Sequence, residues 1–329
     1  VSALDNGVDE RVCYQLESVS SGAKVWVGPA DTVEQWGPYC VGCTQRVGLG
    51  PDYGLFVFPN DGKALVHDKT LRFRVALRDC VTRLPIASSP AKTWPPKVRV
   101  RWRGWPARAT GPSRLDLVLV DPGSDDDGTL QAMVDQALAA ANEALAPAQI
   151  EVQVRGTVRL SGQATTLTLA PGHYAQARAV LSAARAKAPK LLAADAGTVA
   201  VVLTPCLRFA EPITAIEQNI EGHVPRIPGG FPLEGSVDGV FVATASCSSQ
   251  GQAGGPVGAA LFARVLVHEL GHYLGLYHVS EGQGGQSDHL ADTQVEQANL
   301  MGVSKAFESS VALTPMQIEV LQSHPYLYR

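Results

Sequence analysis

Hydrophobic and polar positions alternate through the first third of the chain, from Lys24 to Trp105. Glycine, proline, asparagine and aspartate separate the alternating runs. The clearest of these runs are Val25/Val27, Phe56/Phe58, Phe73/Val75/Leu77 and Val98/Val100/Trp102. A period of two places every second side chain on the same face of a strand. The pattern therefore predicts a small antiparallel β-sandwich within residues 1–107.

Beyond residue 107 the pattern changes to strands that alternate with helices. Apolar runs predict strands at Leu115–Val120, Ile150–Val154, Val199–Leu203 and Val237–Thr244, the last of them at a sheet edge. Apolar stripes of helical period predict helices over residues 130–145 and 173–188, and a third helix that begins near residue 255. The sequence thus predicts a second domain over residues 108–329, of α/β or α+β organisation.

Composition narrows the classes of function. The 329 residues are 45% hydrophobic, which is typical of a globular protein. A net charge of −4 provides no general attraction to nucleic acid, so no nucleic-acid partner is expected. No apolar run approaches the roughly 20 residues of a transmembrane segment. The sequence starts at Val1 without a signal peptide, as expected of a processed or trimmed chain.

The six cysteines form two groups along the sequence. Cys206 and Cys247 are the two that lie in the second predicted domain, and their pairing as a disulfide is the simplest expectation. The other four are Cys13, Cys40, Cys43 and Cys80, which allow three connectivities. Half of a zinc knuckle is the alternative for the CxxC pair, although no second such pair follows it. Disulfides in both groups predict an oxidising compartment.

Three histidines and one glutamate lie within the stretch HELGHYLGLYH, although the chain has only eight histidines. Residues four apart share a helix face, so His268 and His272 can hold one ion, with Glu269 in reach of its water. No straight helix brings His278 to the same ion. Gly275 accepts the backbone conformation that ends a helix and turns the chain back. Three nitrogen ligands with one open position predict a catalytic zinc site.

The spacing HExxHxxGxxH resembles the signature of the metzincin zinc metallopeptidases. Among metzincins, the chain is most similar to the pappalysin-like peptidases, because GHYLGLYH, SDHLADTQ, NLMG and LTPMQ follow the order of that family's motifs. The resemblance covers roughly residues 114–325, and its specific motifs occupy 266–317. It implies a metzincin-like (zincin) catalytic domain in the second part of the chain. Together with the antiparallel β-sandwich that periodicity predicts before it, the expected fold class is α+β. The resemblance also places Met301 in a methionine turn beneath the metal.

The resemblance implies that the protein hydrolyses peptide bonds with a zinc-activated water. Zinc lowers the pKa of such a water to roughly 7, and Glu269 accepts its proton as general base and passes it to the leaving amine. Asp288 and Asp292 belong to the family-like stretch. They are implied either as partners that orient a ligand histidine or as ligands of a calcium ion.

Substrate is expected to add as a further strand along Val237–Thr244, where backbone hydrogen bonds hold an extended peptide. The residues of this predicted substrate strand are Gly239, Val240, Phe241 and Val242.

One position departs from the family pattern. Val303 stands where pappalysin-like turns carry a tyrosine two residues after the methionine, so the motif assigns no tyrosine to the oxyanion. Tyr326 and Tyr328 are distant candidates for that role.

Arginines alternate on two predicted strands of the first domain. They are Arg72, Arg74 and Arg78 on one strand, and Arg99, Arg101 and Arg103 on the other. If the two strands are neighbours, the arginines form one basic face that docks an anionic glycan or the other domain. A solvated polar face is the simpler interpretation.

The sequence therefore predicts a zinc endopeptidase that is secreted or lies in the cell envelope, with protein or peptide substrates. Two alternatives remain. In one, the protein is an envelope or adhesion protein whose zincin domain mainly binds its target. In the other, residues 1–107 block the zinc until they are cut away. The intact Glu269 argues against a binding role, since binding alone needs no general base. Against latency, no cysteine stands alone in an obvious zinc-blocking motif.

Overall fold

The computed structural model describes most of the second half of the chain and parts of the first. The described residues are 2–4, 12–27, 46–50, 53–57, 70–79, 84, 97–99, 111–123, 128–162, 166–169, 174–193, 196–210, 217–225, 227–230, 236–279, 290, 292–293, 299–302, 312–324 and 326–327. By their internal contacts they form two compact units. The first comprises Val1–Arg103, Arg226–Pro228 and Leu274–His324, and the second comprises Gly104–Pro225, Gly229–Tyr273 and Pro325–Arg329. The predicted domain boundary at residue 107 stays a prediction.

Seventeen strands are present in the described residues. They are β1 Ser2–Leu4, β2 Val12–Ser21, β3 Lys24–Val27, β4 Arg46–Gly50, β5 Tyr53–Val57, β6 Arg72–Asp79, β7 Lys97–Arg99, β8 Ser113–Asp121, β9 Ile150–Arg159, β10 Thr166–Leu169, β11 Thr198–Thr204, β12 Cys206–Ala210, β13 Glu217–Asn219, β14 Gly222–His223, β15 Val240–Ala243, β16 Ala245–Cys247 and β17 Ala253–Pro256. The α-helices are α1 Thr129–Leu145, α2 Ala175–Lys187, α3 Ala259–Tyr273 and α4 Pro315–Gln322.

The strands before residue 100 pair in two antiparallel sheets. One sheet has the order β4-β5-β1-β7, and the other has the order β3-β2-β6. Antiparallel pairing is what the period of two predicts, while the packing of the two sheets as a sandwich stays a prediction.

The strand pairing does not support the predicted basic face of arginines. Arg72 and Arg74 lie on β6, whereas Arg99 lies on β7, which belongs to the other sheet. Arg101 and Arg103 lie outside the described residues.

A five-stranded sheet of order β14-β15-β11-β8-β9 forms the centre of the second unit. β9, β8, β11 and β15 are parallel, and β14 alone is antiparallel to its neighbour. All seven residues of β11 are buried. Continuous apolar runs of this kind are typical of parallel strands that are covered on both faces. The predicted combination of helices and sheets is therefore confirmed as a mixed α/β arrangement.

Helices cover both faces of this sheet. Val118, Val202 and Phe241 belong to one apolar cluster with Val180 and Leu181 of α2. The residues that alternate with them along the strands are also buried, and α1 and α3 pack together and against the sheet. Helix α3 is apolar through most of its length because it is buried. No helix in the described part of the chain has the length and apolarity needed to cross a bilayer.

The prediction that Gly239–Val242 lie at the sheet edge is wrong. β15 has β11 on one side and β14 on the other, and its four residues are buried. An uninterrupted apolar run favours an interior strand over an edge strand, because an edge normally carries polar or charged residues. Among the described residues, the strand at this edge is β14.

The predicted disulfide between Cys206 and Cys247 is present. It connects β12 with β16, in the hairpin of β16 and β17 that comes before α3. Of the other cysteines, Cys40, Cys43 and Cys80 lie outside the described residues. Their connectivity stays open.

Candidate metal centre

Helix α3 positions three of the predicted site residues. His268 and His272 are one helical turn apart, and their rings meet edge to face with centroids 4.6 Å apart. Both histidines and Glu269 are buried. The helix ends at Tyr273, two residues before Gly275, whose φ is +109°. A left-handed φ of this kind strains any residue with a side chain, so this position favours glycine.

The turn at Gly275 brings His278 to the other two histidines. The potential ligand nitrogens of His268, His272 and His278 all lie within 4.8 Å of one another, close enough to hold one ion. Three imidazoles match the donor set that zinc takes in catalytic sites, which keep a fourth position open. The structure therefore contains a three-histidine site that fits zinc.

Glu269 lies beside these histidines with its carboxylate away from water. Its Oε2 is buried and has no hydrogen-bond partner among the described residues. Burial raises the pKa of Glu269 from 4.5 to about 8 in the metal-free chain. A cation bound next to a carboxylate favours its charged form, so metal binding lowers this pKa again. A buried carboxylate oxygen of this kind, next to three imidazoles, fits a site that binds a metal ion with its water.

Met301 is fully buried, and its backbone is tied to the segment that carries the third histidine. Its carbonyl accepts a hydrogen bond of 3.0 Å from the N–H of Val279, the residue after His278. Its own N–H donates to Oδ1 of Asn299 at 2.9 Å. The turn at Met301 therefore holds the backbone next to a ligand histidine, whatever its side chain contacts.

Gln317 clamps this turn from helix α4. Asn299 Nδ2 donates to Gln317 Oε1 at 2.9 Å, and Gln317 Nε2 donates to Asn299 Oδ1 at 3.0 Å. The same Oε1 accepts from the N–H of Thr314, which begins the helix in a capping box. Gln317 is fully buried, so its two bonds to Asn299 lack competition from water. This role of Gln317 was not predicted from the sequence, although the spacing of Thr314 and Gln317 in LTPMQ is a capping-box signal.

Replacing Gln317 by leucine is expected to weaken zinc binding without touching a ligand. The substitution leaves the Asn299 amide buried without its partner, which costs about 1–3 kcal/mol of folding stability. Loss of a residue that orients the ligand segment typically lowers metal affinity about 10- to 100-fold. A competition titration with a coloured chelator measures the affinity, and urea unfolding measures the stability. The matched control is Glu319→Leu, which changes an exposed position of the same helix. Equal zinc affinities in both variants would contradict the role of Gln317.

Two tyrosines next to the ligand histidines hold the chain that follows β14. Tyr273, directly after His272, donates from its hydroxyl to the carbonyl of Gly230 at 2.5 Å. Its carbonyl accepts from the N–H of Gly229, and a Cβ on Gly229 would lie 2.2 Å from its ring. Tyr277, directly before His278, donates to the carbonyl of Ile227 at 3.0 Å. The HYLGLYH stretch thus supplies anchoring hydroxyls as well as ligands.

Asp292 helps to begin helix α4. Its Oδ1 accepts from the hydroxyl of Thr314 at 2.8 Å, and its Oδ2 accepts from the N–H of Met316 at 2.9 Å. A carboxylate at a helix N-terminus is stabilising without any ion. The described residues give no support for calcium here, and Asp288 lies outside them.

Of the two distant tyrosine candidates for the oxyanion, Tyr326 is buried with its ring 5.9 Å from that of Tyr273. Tyr328 and Val303 lie outside the described residues.

Strand β14 is a second feature that sequence reasoning missed. Gly222 pairs with Val242, and His223 pairs with Phe241. A two-residue strand has too few positions to show a period, so no pattern could reveal it. The His223 ring lies 5.3 Å from that of Phe209, and its Nε2 is buried with no hydrogen-bond partner among the described residues.

Acid is expected to destabilise the protein through His223. Burial of its Nε2 lowers the pKa of His223 from 6.5 to about 4, because a nitrogen away from water resists a charge. Between these values the unfolded chain binds a proton that the folded chain does not. Stability is therefore lost as the pH falls from about 6.5 to about 4, by roughly 3 kcal/mol in all.

This loss can be separated from the loss of zinc in acid by comparing urea unfolding of wild type and His223→Phe at several pH values. Both proteins keep the three ligand histidines, so only His223 differs between them. The variant retains a ring against Phe209 and is expected to have the shallower pH dependence. Parallel pH profiles would show that the pKa of His223 is the same in the folded and the unfolded chain.

The geometry of this centre is that of a zinc hydrolase site, with three histidine nitrogens and a buried carboxylate beside them. Residues 258–312 match the model of the peptidase M43 family, described as pregnancy-associated plasma protein-A. The matched residues include the three histidines, Glu269 and Met301. The resemblance to metzincin-like zinc metallopeptidases is thereby confirmed, and the match supports zinc-dependent peptidase activity in general.

Several solved structures match part of this chain. Archaemetzincin from Methanopyrus kandleri is 19% identical, with 64% of this chain and 94% of that chain covered and a TM-score of 0.35. Metalloproteinase-II from Bacteroides fragilis is 16% identical, with 66% and 55% covered and a TM-score of 0.38. A chaperone–substrate complex is 14% identical, with 66% and 36% covered and a TM-score of 0.33. No curated protein matches the sequence.

Proposed function

We propose that the protein is a secreted zinc endopeptidase that uses Glu269 as its general base. The observation that carries the proposal is the buried Glu269 carboxylate on the same helix as two of three clustered histidines, with an Oε2 that has no hydrogen-bond partner in the described part of the chain. The disulfide Cys206–Cys247 supports secretion, since disulfides persist in oxidising compartments.

The residues of the chain divide the work as follows. His268, His272 and His278 would hold zinc, which supplies a Lewis acid and a water of lowered pKa. Glu269 would take the proton of the attacking water on its carboxylate and deliver it to the leaving amine. Its burial keeps bulk water away, so the proton stays available for the amine.

An extended peptide substrate would add to the outer side of β14. This strand is the edge of the central sheet in the described residues, and Gly222 lies against Glu269. Backbone groups on an exposed edge accept another strand without regard to sequence, and side pockets then select among peptides. The strand that we propose to bind substrate is therefore β14, and not the interior strand β15 that the sequence suggested.

The test is digestion of a peptide library by the intact protein, with cleavage sites read by mass spectrometry. Cleavage at internal bonds that stops on zinc chelation and returns on zinc addition is expected. Removal of terminal residues alone would indicate an exopeptidase. No cleavage by zinc-loaded protein, even after an activating protease trims the first domain, would favour the binding-protein alternative.

A further inference from the structure

Gly222 leaves no room for a side chain on the face of β14 that meets helix α3. A Cβ added to Gly222 would lie 2.6 Å from both Cγ and Oε1 of Glu269, and 2.7 Å from Cγ1 of Val265. These separations are far inside van der Waals contact. The carboxylate of Glu269 thus occupies the space that any other residue at position 222 would fill.

The reason for glycine here is space and not backbone conformation. Gly222 is absent from the glycines with positive φ, unlike Gly275. An alanine could therefore adopt the same backbone angles without strain. The cost of a substitution would come from the contact with helix α3 alone.

The strand cannot move aside to make that room. Gly222 and His223 pair with β15, and the N–H of Ala243 donates to the carbonyl of Glu221 at 2.8 Å. β15 is itself buried and paired on its other side with β11. Withdrawal of β14 would break these hydrogen bonds, each of which is costly to lose in a buried setting.

Of the two side chains in contact, Glu269 is the one that can yield. Val265 is buried and has a single side-chain torsion, with its rotamer restricted in a helix. Glu269 has three side-chain torsions, so its carboxylate moves before the backbone does. A methyl group at position 222 would therefore displace the carboxylate.

We propose that Gly222 is the positioning residue for the Glu269 carboxylate. The bare backbone at this point of the edge strand lets the carboxylate lie between strand and helix. The reaction part of this inference rests on the proposed peptidase function, whereas the contact itself does not.

The first experiment compares Gly222→Ala with wild type in zinc-loaded form. A misplaced catalytic group lowers the rate of the chemical step while the peptide still binds, so kcat should fall roughly 10- to 100-fold with KM within about threefold. Zinc content should stay at the wild-type level. The matched control is Gly258→Ala, because a Cβ on Gly258 meets nothing within 4 Å. An unchanged kcat in Gly222→Ala would overturn the proposal.

The second experiment needs neither activity nor metal. In metal-free protein, Gly222→Ala should lower the Tm by roughly 3–10 °C, as expected for overpacking in a domain of this size. In the Glu269→Ala background the same change should lower the Tm by at most about half as much, because the side chain in its way is gone. Equal Tm losses in both backgrounds would overturn the contact.

The two experiments separate the possible failures. If wild type has no peptidase activity, the proposed function fails, while the Tm comparison still decides whether Gly222 and Glu269 are coupled. If Gly222→Ala alone does not fold, folding of the Gly222→Ala/Glu269→Ala protein supports the proposal. Failure of both proteins to fold contradicts it.

Discussion

Glu269→Gln is expected to keep its zinc and its fold and to lose about 10²- to 10⁴-fold in turnover. Glutamine has the shape and hydrogen-bonding capacity of glutamic acid but cannot accept the proton of the attacking water. The three ligand histidines are unchanged, so metal binding does not depend on the substitution. Because Glu269 is buried in the metal-free chain, a neutral side chain also fits its surroundings.

The measurement is turnover on the best peptide from the library, with zinc content and Tm determined on the same preparation. Glu319→Gln makes the identical chemical change at an exposed position of α4 and should retain full activity. A Glu269→Gln protein that holds zinc and cleaves within a few-fold of wild type would show that another group acts as base.

His272→Ala is expected to lose both bound zinc and activity. His272 is one of only three ligands that the described residues bring together, and it is the one that shares a helix face with His268. With two ligands left, the affinity falls below what purification retains. Zinc also stabilises the folded chain by mass action, by about 4 kcal/mol at a thousandfold excess over its Kd. That gain should disappear in the variant.

Elemental analysis gives the zinc content, and Tm with and without added zinc gives the linked stability. His289→Ala, the next histidine along the chain, is the control and should keep both. A full zinc complement in His272→Ala would remove it from the ligand set. Loss of zinc in His289→Ala would instead mean that a fourth histidine belongs to that set.

Much of this centre was predictable because its members lie close together in the sequence. The period of the helix determines that His268 and His272 share a face, and the backbone freedom of glycine determines where the chain turns at Gly275. The disulfide was predictable by count, since two cysteines stand apart from the other four. Strands β8, β9 and β11 were predictable as well, because long apolar runs carry a clear signal.

Features that join distant segments were not predictable in this way. The sheet edge was predicted at β15. A run such as Val240–Val242 indicates that a strand is buried, but it does not show which strands flank it. The edge strand among the described residues, β14, is two residues long and carries no periodic signal. The family resemblance implied that Asp292 orients a ligand histidine or binds calcium, yet its carboxylate accepts hydrogen bonds at the start of a helix more than twenty residues away.

By itself, the sequence determined which residues can bind zinc, because the helical period and the glycine turn act within eleven consecutive positions. The tertiary structure alone decided what surrounds them. Gln317 holds the methionine turn by hydrogen bonds to Asn299, which lies 18 residues away in sequence. Gly222 leaves the space beside it to the Glu269 side chain, which is still farther away in sequence. The physical reason is that local backbone geometry relates residues only over a few turns. Contacts between distant segments follow from how the sheet and helices pack, and no spacing in the sequence encodes that packing.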